Sequence, residues 1–497
     1  MTPRTLRSRI PDLLLVAYLA AMLPLFVRMP LWVDATFYDV AARNILCGGT
    51  HYRDVFDTNL PGMIWMQAAV RGLFGFSSEV LRIADLVVLA LTLFVAGRIL
   101  RDAEVPPAMR GWFRLGWCAF YLGETEFVHT QRDIWMLLPI LLAVRVRQLH
   151  AVRPRPVLEG FLWGLAVWIK PHSLVVALAV WLATGRTGSL RKLVAGGLIA
   201  GALGAVGSVS TRAWGPMWDV LLHWNGGYLS WTLDELIGRA RNLASGFGPW
   251  GLLHLAAIPI AVRRMQADEP GGKLLAGLYF GWLVQTMLLQ RAYPYVSASA
   301  LLPAMLVLAR TRWIVGVLAV SVVGAMVHLW VGNVPLLPDR ELVNIQRLKY
   351  WNRCFQGPID AEFRDDLSWY RDNPSCPGWG DLERTAAYLE TLDLKDGDLL
   401  CWCDSTHPLY LRLELEPGWR FMHPMTMLSM PGLRDRMRAE LGASRSKYIV
   451  ADSLLEPTNA LDYFPWNQPC VRRLGRFSVH EWTRPIGENI APPPPTR

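Results

Sequence analysis

Ionisable side chains stand at the ends of long apolar stretches at several points along the chain. Asp34 follows the first stretch, Arg132 and Asp133 precede another, and Lys170 and Arg291 each separate two more. An ionised group near the hydrocarbon core of a membrane is costly, so a functional role is the default interpretation of such residues. Carboxylates can accept protons, and lysine and arginine can hold anions. These positions therefore indicate proton transfer and anion binding at a membrane surface.

Membrane-crossing helices must position these residues, and the composition predicts such helices. Of the 497 residues, 52% are hydrophobic and only 18% are charged, with a mean hydropathy of +0.23. A single soluble globule of this length would be less apolar. The apolar residues form runs of roughly 15–22 residues, the length that an α-helix needs to cross the hydrocarbon core. About eleven transmembrane helices are predicted, at residues 10–31, 80–100, 111–123, 134–149, 157–169, 172–184, 191–211, 248–262, 273–290, 295–309 and 313–331.

The segments between these runs alternate in length and charge. One set is short and basic, as around Arg98, Arg145 and Arg264. The positive-inside rule places the basic set in the cytoplasm, which predicts a multi-pass protein of the cell inner membrane with a cytoplasmic N-terminus. An odd number of spans then places the C-terminal part outside. The predicted outer segments, which are longer and mixed in charge, are 32–79, 124–133, 212–247 and everything after 331.

The net charge of +9 has a topological explanation. In a soluble protein, such an excess of positive charge would indicate nucleic acid or acidic partners. Here much of the excess lies in short loops between apolar runs, and no zinc-finger spacing or basic-aromatic platform accompanies it. We therefore predict membrane lipids as partners and no nucleic acid.

Residues 332–497 have the composition of a water-soluble domain, with dense charges and frequent Pro and Gly turns. Short strand-like and helix-like pieces alternate along it, which predicts a compact α/β domain. It ends in APPPPT, a polyproline-type tail. The strand-like pieces are 398–403, 420–424 and 447–453, and the helix-like pieces are 380–393 and 432–442.

Cysteine usage agrees with an outside location for this domain. Five of the seven Cys residues follow residue 331, where an oxidising compartment would allow disulfides, although the odd number leaves at least one unpaired. Cys401 and Cys403 alternate along one predicted strand. This spacing favours two buried, unpaired thiols over a metal or redox pair.

Several sequence motifs, taken in order, resemble the GT-C glycosyltransferases, most closely the protein O-mannosyltransferase and aminoarabinose-transferase superfamily. Segment 32–79 carries Asp34, aromatic-Tyr, Ala-Arg, Gly, Tyr, Pro-Gly, Trp, Leu-Phe-Gly and Arg in the order of that family's first loop. Arg132-Asp133 is similar to the element ending its second loop, and Lys170-Pro171 to its Lys-Pro turn. QRAYPYVSASALLPAML resembles its aromatic-rich loop, and THPLYLRLELEPGWRF resembles the outer domain of many bacterial members.

The resemblance implies a transmembrane GT-C-like catalytic domain at 1–331 and an extracytoplasmic α/β domain at 332–497. It implies sugar transfer, outside the membrane, from a polyprenyl-phosphate-linked donor to a hydroxyl of a glycan, lipid or protein acceptor. Asp34 matches the family's catalytic carboxylate, which would take the acceptor's proton as general base. Asp133 matches a second acidic position that would position the acceptor or support a metal. The remaining residues are expected to bind the donor and its departing phosphate: Arg53, Arg132, Lys170, Arg291 and Tyr293.

Two departures from the family pattern change these expectations. Asp34-Ala35 stands where many relatives have an acidic pair, so the need for a divalent cation stays open and no residue is assigned as a metal ligand. Asn59-Leu60-Pro61-Gly62 stands where the aminoarabinose branch has Lys-Pro-Pro. The usual phosphate-binding lysine is therefore missing, and another cation must replace it.

Three of the candidate residues also have a purely structural interpretation. Asp34 could cap a helix beginning near Thr36. Asp133 could form an ion pair with a neighbouring cation, and Lys170 could be an end-of-helix lysine extending to the membrane surface. Two further acids, Asp39 and Asp57, are expected to be solvated loop residues.

Two other functional classes compete with the enzyme. A transporter, flippase or polymerase of lipid-linked glycans would carry ionisable or helix-breaking elements near mid-membrane, often with inverted repeats. The sequence has no convincing repeat, and its acids cluster at helix ends instead. A non-catalytic scaffold displaying the C-terminal domain would not need the acidic and basic residues of the loops.

Overall fold

Helices make up most of the chain, as the apolar runs predict, and one small sheet lies near its C-terminal end. The computed structural model describes residues 3–150, 152–185, 189–225, 231–267, 270–331, 347–368, 376–430, 432–455, 461 and 463–483. The helices in the first two thirds are α1 (Pro3–Arg28), α2 (Val33–Leu46), α3 (Gly62–Phe74), α4 (Ser78–Asp102), α5 (Pro107–Gly123), α6 (Arg132–Trp135), α7 (Leu137–Gln148), α8 (Pro156–Ile169), α9 (Ser173–Thr184), α10 (Leu190–Ser210), α11 (Trp214–Asp219), α12 (Leu233–Ser245), α13 (Leu252–Gln266), α14 (Pro270–Leu288), α15 (Pro294–Ala298), α16 (Leu301–Leu308) and α17 (Trp313–Val331).

Each of the predicted apolar runs coincides with helical structure. The run at 10–31 lies in α1 and the run at 80–100 in α4, whereas the run at 295–309 is divided between α15 and α16. The short helix α6 and the helices α2 and α3 belong to the loops between the runs. The helical fold class predicted for this part of the chain is therefore confirmed.

Three of the described helices are long and apolar enough to cross a membrane: Arg9–Arg28, Ser78–Asp102 and Leu190–Ser210. A fourth span results if α12 and Gly248–Gln266, which meet at 108°, are counted as one broken span. The protein is therefore a helical membrane protein, and the larger number of eleven spans stays a prediction. Shorter apolar helices lie at Pro156–Ile169, Ser173–Thr184, Pro294–Leu308 and Trp313–Gly324.

Glycines bring α8 and α10 into close contact. A Cβ atom on Gly160 would lie 1.8 Å from the Leu193 carbonyl oxygen, and one on Gly196 would lie 2.0 Å from the Val157 carbonyl oxygen. Small residues of this kind let helix backbones approach closely within a membrane. Because Lys170 is the C-cap of α8, this contact also fixes the position of Lys170.

The C-terminal part is an α/β structure built on a four-stranded sheet with the strand order β1-β2-β4-β3. Strand β1 pairs in parallel with β2, and β4 pairs antiparallel with both β2 and β3. The strands are β1 (Leu399–Cys401), β2 (Tyr448–Asp452), β3 (Cys470–Leu474) and β4 (Phe477–Glu481). The helices are α18 (Ala361–Leu367), α19 (Trp379–Glu390), α20 (Pro408–Arg412), α21 (Pro424–Leu428) and α22 (Arg434–Gly442).

Most of the predicted elements of this part are confirmed. The pieces at 398–403 and 447–453 contain β1 and β2, and the helix-like pieces are α19 and α22. Cys401 and Cys403 are both buried, as the alternation predicted. The APPPPT tail lies outside the described residues.

The predicted strand at 420–424 is wrong, because this segment is irregular and belongs to no sheet. The carbonyl oxygen of Arg420 accepts a hydrogen bond from the amide of Phe56, 2.8 Å away, in the loop between α2 and α3. The backbone carbonyl group of Arg420 is therefore bonded to the first loop and not to a neighbouring strand.

Polar contacts hold the C-terminal part against the first loop and against α1. Glu416 accepts hydrogen bonds from Arg43 at 2.9 Å and from Asn44 at 2.7 Å, both near the end of α2. Arg28 donates to the carbonyl oxygen of Cys354 at 3.0 Å. The two parts of the chain are thus packed together around α2.

Orientation across the membrane follows from charge alternation and stays a prediction. A reporter fused after residue 335 should be active only on the outer side of the membrane, and one fused near Arg264 only on the inner side, because basic loops are retained in the cytoplasm. Paired alkaline phosphatase and fluorescent-protein fusions measure both positions. The reverse pattern would overturn the orientation.

Candidate active site

Asp34 lies in the first turn of α2 and faces a cavity of about 420 Å³. The residue before the helix is Trp32, and no side-chain capping hydrogen bond is made there. The Asp34 carboxylate instead accepts a hydrogen bond from Nε2 of Gln131, 2.9 Å away in the loop before α6. These contacts do not support the interpretation of Asp34 as a helix cap, and they leave its carboxylate on the cavity wall.

The groups around Asp34 shift the pKa of its carboxyl in opposing directions. Burial raises the pKa of the Asp34 carboxyl above its ordinary value, since desolvation disfavours the charged form. His423, the hydrogen bond from Gln131 and the charge of Arg132 oppose this effect, whereas Asp404 adds to it. A carboxylate whose pKa is raised toward neutrality is better matched to accepting a proton at physiological pH.

Arg132 forms a buried ion pair with Asp57. Its Nη1 donates to Oδ1 of Asp57 at 3.2 Å, and its Nη2 donates to Oδ2. The guanidinium also lies over the ring of Tyr38, 4.6 Å from the ring centroid. Nε of Arg132 is buried without a hydrogen-bond partner among the described residues. Arg132 therefore keeps the N–H of Nε unused within the described part of the chain after pairing with Asp57.

The prediction that Asp39 and Asp57 are solvated loop acids is wrong, since both are buried. Asp57 is paired with Arg132, 75 positions later in the chain. Asp39 accepts a hydrogen bond from Nε of Arg71 at 2.6 Å and another from Gln67, both on α3. The Asp57–Arg132 pair fixes the first loop, which carries Asp34, to the rest of the site, and the Asp39 bonds hold α2 against α3.

Lys170 and Asp133 form a second buried ion pair. Nζ of Lys170 lies 2.7 and 2.9 Å from the two carboxylate oxygens of Asp133 and also contacts Gln290. Nε2 of Gln290 in turn donates to Asp133 at 3.1 Å. With 7% of its surface exposed, Lys170 does not extend to the membrane surface as an end-of-helix lysine would. Asp133 is thus paired with Lys170, and its predicted role in the reaction stays a prediction.

A narrower pocket of about 40 Å³ continues from the larger cavity. It is lined by Asp133, Lys170, Arg291 and Tyr293. The two cavities share lining residues, namely Tyr38, Asn59, Arg132, Tyr293 and Tyr295. The structure therefore brings together six of the seven residues singled out from the sequence: Asp34, Arg132, Asp133, Lys170, Arg291 and Tyr293.

Arg53 is the predicted site residue that the structure places elsewhere. Its side chain is 62% exposed, and Nε lies 2.7 Å from Oδ1 of Asp54. It lines a separate groove between the first loop and the C-terminal part, together with Arg43 and Glu416. Arg53 does not line either cavity of the candidate site.

The C-terminal part contributes one whole wall of the larger cavity, which the sequence did not reveal. Asp404 and His423 line it, and so do three methionines, Met422, Met427 and Met430. Asp404 directly follows the predicted strand at 398–403, and ligands of open α/β sheets bind outside the carboxyl ends of strands. That position is a signal that could have identified Asp404, whereas the segment around His423 carries none.

Among the described residues, no group of three or more His, Cys, Asp or Glu side chains is arranged to hold a metal ion. The need for a divalent cation stays open.

No family model and no curated protein matches the chain. Among solved structures, it is similar to ArnT from Cupriavidus metallidurans bound to undecaprenyl phosphate, with 15% identity, a TM-score of 0.55, and 98% of this chain and 99% of the other covered. The apo state of that protein gives 15% identity, a TM-score of 0.52 and coverage of 94% and 96%. An Archaeoglobus fulgidus oligosaccharyltransferase gives 14% identity, a TM-score of 0.42 and coverage of 89% and 69%.

The likeness to ArnT extends over nearly the whole of both chains and includes the C-terminal part. The chain therefore has the fold of this ArnT, and the resemblance drawn from its sequence is confirmed at the level of the fold.

Proposed function

We propose that the protein is a membrane glycosyltransferase that moves a sugar from a polyprenyl-phosphate-linked donor to an acceptor hydroxyl on the outer side of the membrane. The observation that carries the proposal is the meeting of a half-buried carboxylate, Asp34, with the buried cations Arg132 and Lys170 on two adjoining cavities. The ArnT structure of the same fold was solved with undecaprenyl phosphate bound, which supports a lipid-linked donor.

In the proposed reaction, Asp34 acts as general base in the larger cavity. The acceptor oxygen attacks the anomeric carbon of the donor while its proton passes to the Asp34 carboxylate. The bond between the anomeric carbon and the phosphate oxygen breaks, and its electron pair leaves with the lipid phosphate. Removing the acceptor proton as the new bond forms makes the oxygen a stronger nucleophile, and such proton transfer typically contributes about 10²–10⁴-fold to the rate.

The cations stabilise the negative charge that grows on the departing phosphate. Arg132 lines both cavities, so its guanidinium can place positive charge beside a bound phosphate while it stays paired with Asp57. Arg291 lines the narrower pocket beside it. We therefore propose Arg132 and Arg291 as phosphate ligands, with Tyr293 between them and the sugar.

Asp133 takes a supporting role in this proposal. Both of its oxygens contact Nζ of Lys170, at 2.7 and 2.9 Å, and Gln290 bonds to the same two groups. An ammonium held on two sides by fixed partners keeps its place when the pocket is empty. Asp133 therefore positions Lys170 as a fixed positive charge at the base of the narrower pocket.

The experiment that tests the function is reconstitution in liposomes with a panel of polyprenyl-phosphate sugars. We expect one donor to be consumed, with release of free polyprenyl phosphate. Movement of intact donor across the bilayer without its consumption would instead support a transporter or flippase. Chain growth on the lipid carrier would support a polymerase.

A charge substitution at Arg291 tests the phosphate pocket. Arg291→Gln should weaken binding of a short-chain polyprenyl phosphate by about 1.5–3 kcal/mol, the contribution of a hydrogen bond to a charged group. This is a loss of roughly 10- to 150-fold in affinity, measurable by calorimetric titration of the detergent-solubilised protein.

The matched control is Arg98→Gln, at an exposed arginine of α4 on the predicted cytoplasmic side. Its guanidinium lies over the ring of Phe94, 5.9 Å from the centroid, and it lines neither cavity. Binding should be unchanged in the control. Equal damage in both variants would contradict the assignment of Arg291.

A further inference from the structure

A histidine and an aspartate of the C-terminal part form a dyad inside the larger cavity. Nδ1 of His423 lies 3.0 Å from Oδ1 of Asp404, and both side chains line the cavity that Asp34 also lines. The two acids come from different parts of the chain, Asp34 from α2 and Asp404 from the turn after β1. The dyad and the proposed base therefore line the same cavity.

The imidazole of His423 packs against the helix that carries Asp34. Its ring lies edge-on to the ring of Phe37, with 5.0 Å between the centroids. Phe37 follows Asp34 by three positions, and residues three apart in a helix lie on the same face. His423 is thus held beside the face of α2 on which Asp34 lies.

The turn that carries Asp404 is anchored from within the C-terminal part. Ser405 donates a hydrogen bond to Asp452 at 2.7 Å, and the amide of Asp452 donates to Sγ of Cys403 at 3.2 Å. These contacts tie the turn to the end of β2. Asp404 is consequently placed by the sheet, and it orients His423 in turn.

The charges around His423 favour its protonated form. Burial alone would lower the pKa of His423, but Asp404, Asp34 and Asp57 together raise it above the ordinary value. The neighbouring His407, with ring centroids 5.4 Å apart, is buried and its pKa falls to about 3, so it brings no positive charge. The described groups facing the imidazole are thus acidic, apart from the Arg132 guanidinium near Asp34.

We propose that His423, held by Asp404, is a positioning residue of the active site, whose protonated imidazole keeps Asp34 in its carboxylate form inside a buried cavity. This inference rests on the proposed function, in which Asp34 takes the acceptor's proton. Burial works against an ionised carboxylate, and a cation close by compensates for it. The C-terminal part thereby contributes side chains that act on the proposed base.

The charge of the dyad also bears on the return of Asp34 to its carboxylate form after each transfer. His423 and Asp404 both keep 24% of their side-chain surface exposed. After transfer, the proton on Asp34 must leave before the next acceptor binds. Loss of that proton restores the Asp34 carboxylate, and the imidazolium beside it favours this loss.

The test is the titration of Asp34 itself, followed as the infrared band of its protonated carboxyl in the full-length protein in detergent. Asp34→Asn identifies the band by removing it. In His423→Gln, the midpoint of the band should move to higher pH by about 1–3 units, the usual effect of losing an opposite charge nearby. An unchanged midpoint would overturn the proposal.

The matched control is His223→Gln. His223 forms an equivalent pair with Asp219, with 3.0 Å between Nδ1 and Oδ1, but it lies outside both cavities and its side chain is 59% exposed. The Asp34 band should be unmoved in this variant. A shift equal to that in His423→Gln would show a general effect of histidine loss and would also overturn the proposal.

A second variant keeps the proposal testable if His423→Gln does not fold. Asp404→Asn removes the dyad's carboxylate, so the pKa of His423 should fall by about one unit or more. Diethylpyrocarbonate modifies the neutral form of an imidazole and not its protonated form. Peptide mass spectrometry separates the modification of His423 from that of other residues and so gives the pH midpoint for His423. An unchanged pH midpoint for His423 in Asp404→Asn would overturn the proposal that Asp404 holds His423 in its protonated form. Neither measurement needs a sugar donor, so both remain decisive even if the panel of donors gives no turnover.

Discussion

Replacing Asp34 with Asn is expected to lower turnover by about 10²–10⁴-fold, the usual loss when a general base is removed. The amide is nearly the same size as the carboxylate, and its oxygen can still accept the hydrogen bond from Nε2 of Gln131. It cannot accept a proton at neutral pH. The rate of donor consumption in liposomes measures the loss, and titration with a polyprenyl phosphate should show nearly unchanged binding.

Asp12→Asn is the matched control for this substitution. Asp12 lies on α1, where its exposed carboxylate pairs with Arg114 at 2.7 Å, far from both cavities. The same chemical change there should leave turnover intact. An Asp34→Asn variant that kept half its activity would show that the base lies elsewhere.

Removing Arg132 is expected to have the largest effect on stability. Arg132→Met would leave the buried carboxylate of Asp57 without its partner, and breaking a buried ion pair in this way typically costs about 3–5 kcal/mol. Denaturant unfolding of the protein in detergent measures the change in the free energy of unfolding. A single variant as stable as the parent would contradict the assigned ion pair.

The double variant Arg132→Met with Asp57→Asn separates the structural role of Arg132 from its proposed role at the phosphate. With the charge of Asp57 also removed, most of the lost stability should return. Binding of a polyprenyl phosphate should stay weak, because the guanidinium is still absent. Recovery of both properties together would show that Arg132 acts only through the fold.

The same ion pair predicts how stability depends on pH. Burial alone would raise the pKa of Asp57, but Arg132, together with His51 and the amide of Asn59, holds the pKa below its ordinary value. A group whose pKa is lowered on folding stabilises the folded state above its unfolded pKa. The stabilisation from this pair should therefore be present at neutral pH and be lost as the pH falls through the folded pKa of Asp57.

The helices and much of the site could be predicted from the sequence, because hydropathy and loop charge are local signals. The apolar runs became helices, and the ionisable residues at their ends did meet, since the ends of neighbouring spans lie at the same membrane surface. The resemblance to a known family supplied the role proposed for Asp34. Only Arg53, on an exposed turn of the first loop, lies apart from the others.

What could not be predicted depends on partners that are distant in sequence. A carboxylate in a polar loop is expected to be solvated, and only Arg132, 75 positions away, explains the burial of Asp57. His423 lies in the segment 420–424, which was predicted as a strand but bonds through the Arg420 carbonyl oxygen to Phe56 of the first loop instead. A local sequence pattern cannot show a contact such as that between Phe56 and Arg420, which are more than 350 positions apart.

The larger cavity can form only late in synthesis, because its walls come from distant parts of the chain. Its residues run from Trp32 to Met430, so a ribosome must complete most of the chain before the cavity closes. Domains generally fold as they emerge, the N-terminal ones first. A nascent chain that stops after α17 would already hold Arg132 and Lys170 in place but would lack Asp404 and His423. The larger cavity is therefore complete only after the last third of the chain has been synthesised and has folded against α2.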